Sequence, residues 1–330
     1  MQGPQPSTLL SLSSTPVEAV AVPVVLRWLA MLLPFALWGT AMAAMKPLLQ
    51  EISPLTLAWL RILPAAVVLL PAVVLLGRRL QVDRRDWGWL LLFALVDGTL
   101  FHGLLSEGLE RTGAGLGSVL IDSQPLLVAL LARWLLGESI NPIGWLGLLL
   151  GFSGILCLGL PVGAFEHLWL EGPPVLGSLL PDRGALLMLA AAAAMASGTL
   201  ISRWACRHSD PVAVTAWHLL LGGLPLVVFS LVGPLADPLR LLPQLSLQQW
   251  GLVAYASVFG TALAYGLFFW FASRGDLTGF TALTFLTPVF ALASGLLLLG
   301  EQLRLLQWLG VVLALGSVLL INRRGALWRA

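Results

Sequence analysis

The feature that most narrows the fold is a repeat held at constant spacing. Arg111, Pro125, Leu135-Leu136-Gly137-Glu138 and Trp145-Leu146-Gly147 return as Arg274, Pro288, Leu298-Leu299-Gly300-Glu301 and Trp308-Leu309-Gly310, always 163 positions later. Upstream, Trp87-Gly88 answers to Trp250-Gly251 and Gly103 to Gly266 at the same offset. Toward the start of each copy the offset becomes 157, pairing Lys46 with Arg203 and Pro54 with Pro211. Insertions would break such a register, so the chain is two copies of one unit whose lengths differ in a single loop.

Each copy is built from apolar runs of about 20 residues, and each run is long enough to cross ~30 Å of hydrocarbon as a helix. The chain is 58% hydrophobic and 10% charged, whereas soluble domains carry roughly a quarter charged residues. Spanning segments must satisfy their own backbone hydrogen bonds, which leaves helices or a closed barrel. Barrel strands alternate over about ten residues, and these runs are longer and uniformly apolar. The expectation is an all-α integral membrane protein with ten transmembrane helices, at 24–45, 53–76, 87–107, 113–135, 142–160, 184–205, 212–233, 249–271, 278–299 and 304–322. The copies then occupy 24–160 and 183–322, joined by a less apolar linker at 161–182 and followed by a cytoplasmic tail at 323–330. Residues 1–23, rich in Ser, Pro and Thr and lacking Lys and Arg, read as a disordered leader, not as a signal peptide.

Basic residues set the orientation. With the N-terminus inside, twelve of the 18 Lys and Arg fall in or beside cytoplasmic segments, five on the other side, and Arg61 within a span. The positive-inside bias therefore puts both termini in the cytoplasm, with the plasma membrane as the expected site. Five spans is an odd number, so the second copy is expected upside down relative to the first, with Glu138 facing the cytoplasm and Glu301 facing out. Inverted repeats about an axis in the membrane plane mark carriers that work by alternating access. If the copies exchange conformations, the inward-open and outward-open states have similar energy.

Two five-helix units carrying Pro125/Pro288, Gly-Glu and Trp-Leu-Gly at these spacings resemble the EamA domains of the drug/metabolite transporter superfamily. Trp38-Gly39 with Lys46, and Pro54 followed by Arg61, are similar to the first two helices of that domain. The resemblance covers residues 24–322. It implies a ten-helix secondary transporter of small organic metabolites such as amino acids, often an exporter, with a central cavity lined by helices 1, 3, 4, 6, 8 and 9. It leaves the cargo undefined.

Ionisable groups within a span cost at least ~2.5–3.5 kcal/mol at the helix centre, so each needs a reason. Asp97, His102, Asp122, Ser123 and Gln124 gather on helices 3 and 4. His102 and Asp122 lie ten residues either side of Thr112, ~15 Å from the turn. They are expected at one depth, sharing a proton or binding a polar substrate group; a structural hydrogen bond between the two helices is the alternative. Asp97, about 140° around the helix from His102, faces either another cavity wall or a neighbouring helix. Pro125 and Pro288 are expected to kink their helices, freeing the carbonyls of Ile121 and Thr284. In the second copy Asp122 is replaced by Phe285 and His102 by Tyr265, which suggests an asymmetric cavity whose other wall holds Tyr265, Thr261 and Thr287. Trp38 and the run Ala190–Ala194 complete the candidate walls.

Arg61 is expected to snorkel to the outer interface or to pair with Glu107 or Glu110; its repeat partner is His218. Gly144, Gly147, Gly151 and Gly154 give helix 5 a small-residue face, echoed by Gly310, Ala314 and Ser317 on helix 10. Cys157 and Cys206 have no metal or disulfide spacing, and no cofactor or metal is implied. No Walker glycine loop, His-Glu-x-x-His or Gly-x-Ser-x-Gly signature occurs, which argues against an ATPase or an intramembrane enzyme. Nucleic-acid binding lacks a basic stripe. A membrane receptor or lipid scramblase is the remaining alternative. Coupling rests with protons at His102, Asp97 and Asp122, with exchange, or with facilitated diffusion. The oligomeric state stays open, a homodimer included.

Overall fold

The computed structural model describes residues 24–45, 47–112, 120–159, 183–232, 241–299 and 305–327. The expected leader, the linker, Lys46 and Glu301 lie outside them. Among the described residues all regular structure is helical: α1 (Val24–Met45), α2 (Pro54–Leu75), α3 (Trp87–Arg111), α4 (Gln124–Leu135), α5 (Pro142–Gly159), α6 (Arg183–Ala205), α7 (Pro211–Val232), α8 (Leu247–Ala272), α9 (277–299) and α10 (Leu305–Leu327). Of these, α2, α3, α6, α7, α8 and α10 are long and apolar enough to cross a membrane, and α1, α4, α5 and α9 contain shorter apolar helices. The protein is an integral, multi-pass membrane protein.

Local chemistry sets where the helices begin and end. Ser53 caps α2 by accepting from the Thr56 amide at 3.3 Å, with Pro54 in the first turn where its missing N–H costs nothing. Ser246 and Gln249 form a reciprocal capping box at α8. The Gly of the repeated Leu-Leu-Gly-Glu motif stops α4: Gly137 takes φ of 69°, which a side chain would strain. Glu138 then turns away and accepts from the amides of Leu277 and Thr278 and, at 2.7 Å, from the Thr278 hydroxyl, so it caps the start of α9.

The contacts between the copies come in matched pairs. α1 packs on α8 and α9, as α6 packs on α3 and α4; α2 packs on the middle of α8, as α7 packs on the middle of α3. Two further pairings, α2 with α7 and α5 with α10, map onto themselves when the copies exchange. The small-residue faces of α5 and α10 meet each other. A Cβ on Gly154 would stand 2.9 Å from the Ala314 amide nitrogen and 3.0 Å from the Gly310 carbonyl, and Ser317 donates to the Gly147 carbonyl at 2.7 Å.

α3 and α8 each widen in mid-course into π-helical turns, at Ala94–Phe101 and Val258–Leu263, which the 163-residue offset superposes. α4 and α9 are also broken. Residues 122–123 form a turn before Pro125, which stands in the first turn of α4. A 3₁₀ segment, Ala282–Leu286, precedes the α-helix that opens at Thr287-Pro288. The expected proline kinks are therefore interruptions. Proline lacks an N–H and favours the first helical turn, so a new helical segment starts there.

At the ends where α2–α3 meets α6–α7, polar groups lock the loops. Asp86 accepts from the His208 amide (2.9 Å), from His208 Nδ1 (2.8 Å) and from the Ser209 hydroxyl (2.7 Å), while Arg78 pairs with Asp210 at 2.9 Å. Burial pushes the Asp86 carboxyl up, but the hydrogen bonds from His208 and Ser209 outweigh it and hold the group below the ordinary carboxylate value of 3.8.

Two outcomes are expected. Gly154→Leu overpacks the α5–α10 contact and destabilises the protein by about 1–3 kcal/mol in detergent-micelle unfolding. Asp86→Asn destabilises the loop junction by about 1–3 kcal/mol at neutral pH. Because the folded-state value is depressed, the wild-type advantage over Asp86→Asn is full above 3.8 and shrinks as pH falls through the lower folded value.

Candidate functional site

The interrupted middles of α3, α4, α8 and α9 converge on the face where α1, α2 and α6 meet them, and there they leave a cavity of about 60 Å³. It is lined by Trp38, Ala41, Met42, Met45, Arg61, Phe101, Leu105, Ile121, Asp122, Gln124, Met195, Gly260, Tyr265, Thr284 and Thr287. The lining of α1 and α3 comes from their C-terminal halves and that of α2 and α4 from their N-terminal parts. The cavity therefore runs from the middle of the bundle toward the α1–α2 and α3–α4 connections.

Beyond its other end the helices are closed by rings. Phe280 packs on Phe35, Phe268 and Phe271 with centroids 5.6, 5.4 and 5.5 Å apart. Trp38 forms the floor between this cluster and the cavity, 5.2 Å from Tyr265 and 4.9 Å from Phe268. Gly39 permits this placement: a Cβ there would lie 2.6 Å from the Thr287 carbonyl, so α1 and α9 touch backbone to backbone.

Several buried polar atoms at the site have no hydrogen-bond partner: Trp38 Nε1, Arg61 Nε, Gln124 Oε1, Thr284 Oγ1 and Thr287 Oγ1, with His102 Nε2 close behind. Leaving such groups unpaired costs about 1–3 kcal/mol each, so a cluster of them in one cavity marks a place where a polar solute or water belongs. Gln124 spends its amide on Thr199 at 3.3 Å, which leaves its carbonyl oxygen available.

The structure places Trp38, Asp122, Gln124, Tyr265 and Thr287 on the cavity wall and Ser123 beside it, its hydroxyl donating to the Leu120 carbonyl at 2.6 Å. Thr261 is turned away and donates to Ala256, and Ala191 and Ala192 are fully buried while Met195, just beyond that run, reaches the cavity. The expected His102–Asp122 hydrogen bond is not formed. His102 directs Nδ1 to Arg61 at 2.5 Å and leaves Nε2 without a partner. Equal depth fixes only one coordinate, and the π-turn preceding His102 rotates it toward α2.

Asp97 leaves α3 on another side and pairs with His218 of α7 at 3.1 Å, both side chains fully buried. His218 in turn stacks on Phe93 with centroids 4.0 Å apart. Gly198 of α6 and Gly222 of α7 make the space, since a Cβ on either would meet Asp97 or the Gly98 backbone.

Arg61 overturns the interfacial expectation. It is 6% exposed, its Nη1 donates to the Met45 sulfur at 2.8 Å, and it lines the cavity. Glu107, one of its expected partners, pairs with Arg111 instead. Arg61 is the eighth residue of α2, ~10 Å from its start, and the helix face on which it sits is turned to α3 and α8. One signal was present in the sequence: Arg61 and its repeat partner His218 are both polar, and both prove to meet a polar group on α3.

The model of the EamA-like transporter family matches residues 26–160 and 182–323. An uncharacterized transporter of Synechocystis sp. is 51% identical over 90% of this chain and 89% of its own length. A WAT1-related chloroplastic protein of Arabidopsis thaliana is 43% identical over 90% of this chain and 69% of its own. A probable amino-acid metabolite efflux pump of Escherichia coli is 28% identical over 90% and 95%. A crystal structure at 18% identity superposes with a TM-score of 0.73 over 92% of this chain and 98% of the other, a likeness of fold.

The buried Asp97–His218 pair is expected to behave as a unit. Asp97→Leu or His218→Leu alone strands a charged or polar partner and costs about 3–5 kcal/mol, whereas the double substitution costs less than the two together. Unfolding of all four proteins in one detergent checks this.

Proposed function

This chain belongs to the EamA-like transporter family, and from that membership we propose that it is a secondary transporter that exports small organic metabolites such as amino acids by alternating access, with the proton as coupling ion. The family and the names of its relatives mark a transporter and not an enzyme. The observation that carries the finer reading is the central cavity, where five buried polar atoms without partners sit among apolar side chains at interrupted helices. Broken helices with freed polar groups are the way carriers build a solute site within the bilayer. The Escherichia coli relative named as an amino-acid metabolite efflux pump supports the choice of cargo.

In this reading the two units, 24–160 and 183–322, lie in opposite orientations in the plasma membrane with both termini in the cytoplasm. The matched contacts between the copies support the exchange of roles that alternating access needs. The cavity then belongs to the outer half, and the Phe35–Phe280 cluster with the Glu138 cap of α9 forms the closed inner half. Inward opening separates Phe280 from α1 and α8, while Pro125 and Pro288 serve as the points about which α4 and α9 bend. The titratable and charged groups available for proton coupling are Asp122 on the cavity wall, Asp97 with His218 between α3 and α7, His102 with Arg61 between α3 and α2, and Tyr265 on α8.

The test is flux in reconstituted vesicles against a panel of amino acids and other metabolites, with and without an imposed pH gradient. Uphill movement that collapses when the gradient is dissipated is expected, with Asp122→Asn at least tenfold slower. Flux indifferent to the gradient would make the protein a facilitator, and binding without flux would make it a receptor.

A further inference from the structure

We propose that Arg61 is the anion receptor of the central cavity, and that the transported solute is an amphipathic monocarboxylate. Its carboxylate sits on the Arg61 guanidinium and its apolar body lies among Met42, Met45, Leu105, Ile121 and Met195. The inference rests on the carrier reading and deepens it by stating what the cargo has to present.

Arg61 is a buried charge without a carboxylate counter-ion among the described residues. Arg61 is 6% exposed, and among the described residues no carboxylate oxygen lies within 4.0 Å of it. Its two hydrogen-bond partners are weak or neutral: the Met45 thioether at 2.8 Å and His102 Nδ1 at 2.5 Å. A nitrogen that faces a guanidinium N–H has to offer a lone pair, so His102 is neutral with its proton on Nε2. It therefore orients Arg61 without neutralising it. Nε of Arg61 has no partner at all.

The buried carboxylate of Asp97 is committed to His218 of α7, its Oδ2 3.1 Å from Nε2. A guanidinium offers five N–H groups in a fixed fork that matches a carboxylate in two parallel bonds. A buried charge left without such a partner is among the costliest arrangements in a protein interior. A solute that supplies the carboxylate removes that cost in the loaded state only, which is how binding energy comes to favour the occupied carrier.

The rest of the wall narrows the class. Asp122 places a carboxyl group on the same cavity wall, so a second carboxylate on the solute would have to be seated beside an acidic side chain. Gln124 Oε1, Thr284 Oγ1 and Thr287 Oγ1 are unpaired acceptors suited to an ammonium or hydroxyl donor. The remaining lining is mostly apolar, and its three methionines are unbranched and adapt to differently shaped apolar groups. A dianion, a phosphate ester or a sugar lacking a carboxylate fits this wall poorly.

The experiment uses the purified full chain in proteoliposomes and compares leucine and phenylalanine with leucinamide and phenylalaninamide, and with 4-methylpentanoate, which keeps the carboxylate and drops the amine. The acids are expected to bind and exchange at least tenfold better than the matched amides. Arg61→Gln should abolish that preference and Arg61→Lys should retain part of it. Wild-type protein that takes amides as well as acids, or an Arg61→Gln protein that keeps the preference, overturns the inference and leaves the carrier reading standing, as does transport confined to neutral or cationic members of the wider metabolite panel. Inertness toward every solute of that panel overturns both. Should Arg61→Gln fail to fold, the wild-type comparison of acid with amide decides alone.

Discussion

No water reaches the hydrocarbon core to receive an unpaired N–H or C=O, so a spanning chain breaks its helical bonding only where protein covers the break. That constraint explains the architecture more fully than any single contact. The breaks lie at 94–101 within α3, 258–263 within α8 and 282–286 within α9, and at the turn 122–123 directly before α4. They face one another across the centre of the bundle. Because each break exposes polar groups, gathering them also gathers Asp122, Gln124, Thr284 and Thr287 around one cavity. α5 and α10 run without interruption and press their small-residue faces together, apart from the site.

The same constraint makes the bundle unequal along its length. At one end Trp38, Phe35, Phe268 and Phe280 fill the space with rings, and the loops outside them are tied by Asp86 to His208, Arg78 to Asp210 and Glu138 to Thr278. Toward the other end the cavity persists, bordered by the small residues Ala41 and Gly260 and by the methionines Met42, Met45 and Met195. The bundle is thus packed at one end and hollow toward the other, an asymmetry along its length that the matched contacts between the copies do not share.

Polar residues within the spans show where a linear reading loses its grip. Their depth follows from residue count, and Asp97, His102 and Asp122 do lie well within the bundle. Their partners follow from rotation about the helix axis, which a π-turn changes by about one residue's worth, ~100°. His102 thus meets Arg61 of α2 in place of Asp122, and Asp97 meets His218, a residue 121 positions away. Arg61 departs from its expected place for a related reason: counting along α2 locates it near the interface, but the helix face on which it sits is turned inward to the cavity. The small-residue faces of α5 and α10 were legible because their spacing alone defines a face, and the pairing of the two helices then brought the faces together.

The sequence by itself determined that the chain is helical, membrane-embedded and built from two related units, because the length of apolar runs and the constancy of an offset are one-dimensional properties. Gly137 as a helix stop and Pro125 and Pro288 as points of interruption were also in reach, since they act on their own backbone. Only the tertiary structure decided that Asp97 meets His218 while Arg61 meets only the neutral Met45 and His102. A side chain's electrostatic partner is set by the rotation and packing of helices far apart in the chain, and so a buried guanidinium without a carboxylate partner among the described residues can be recognised only once the helices are in place.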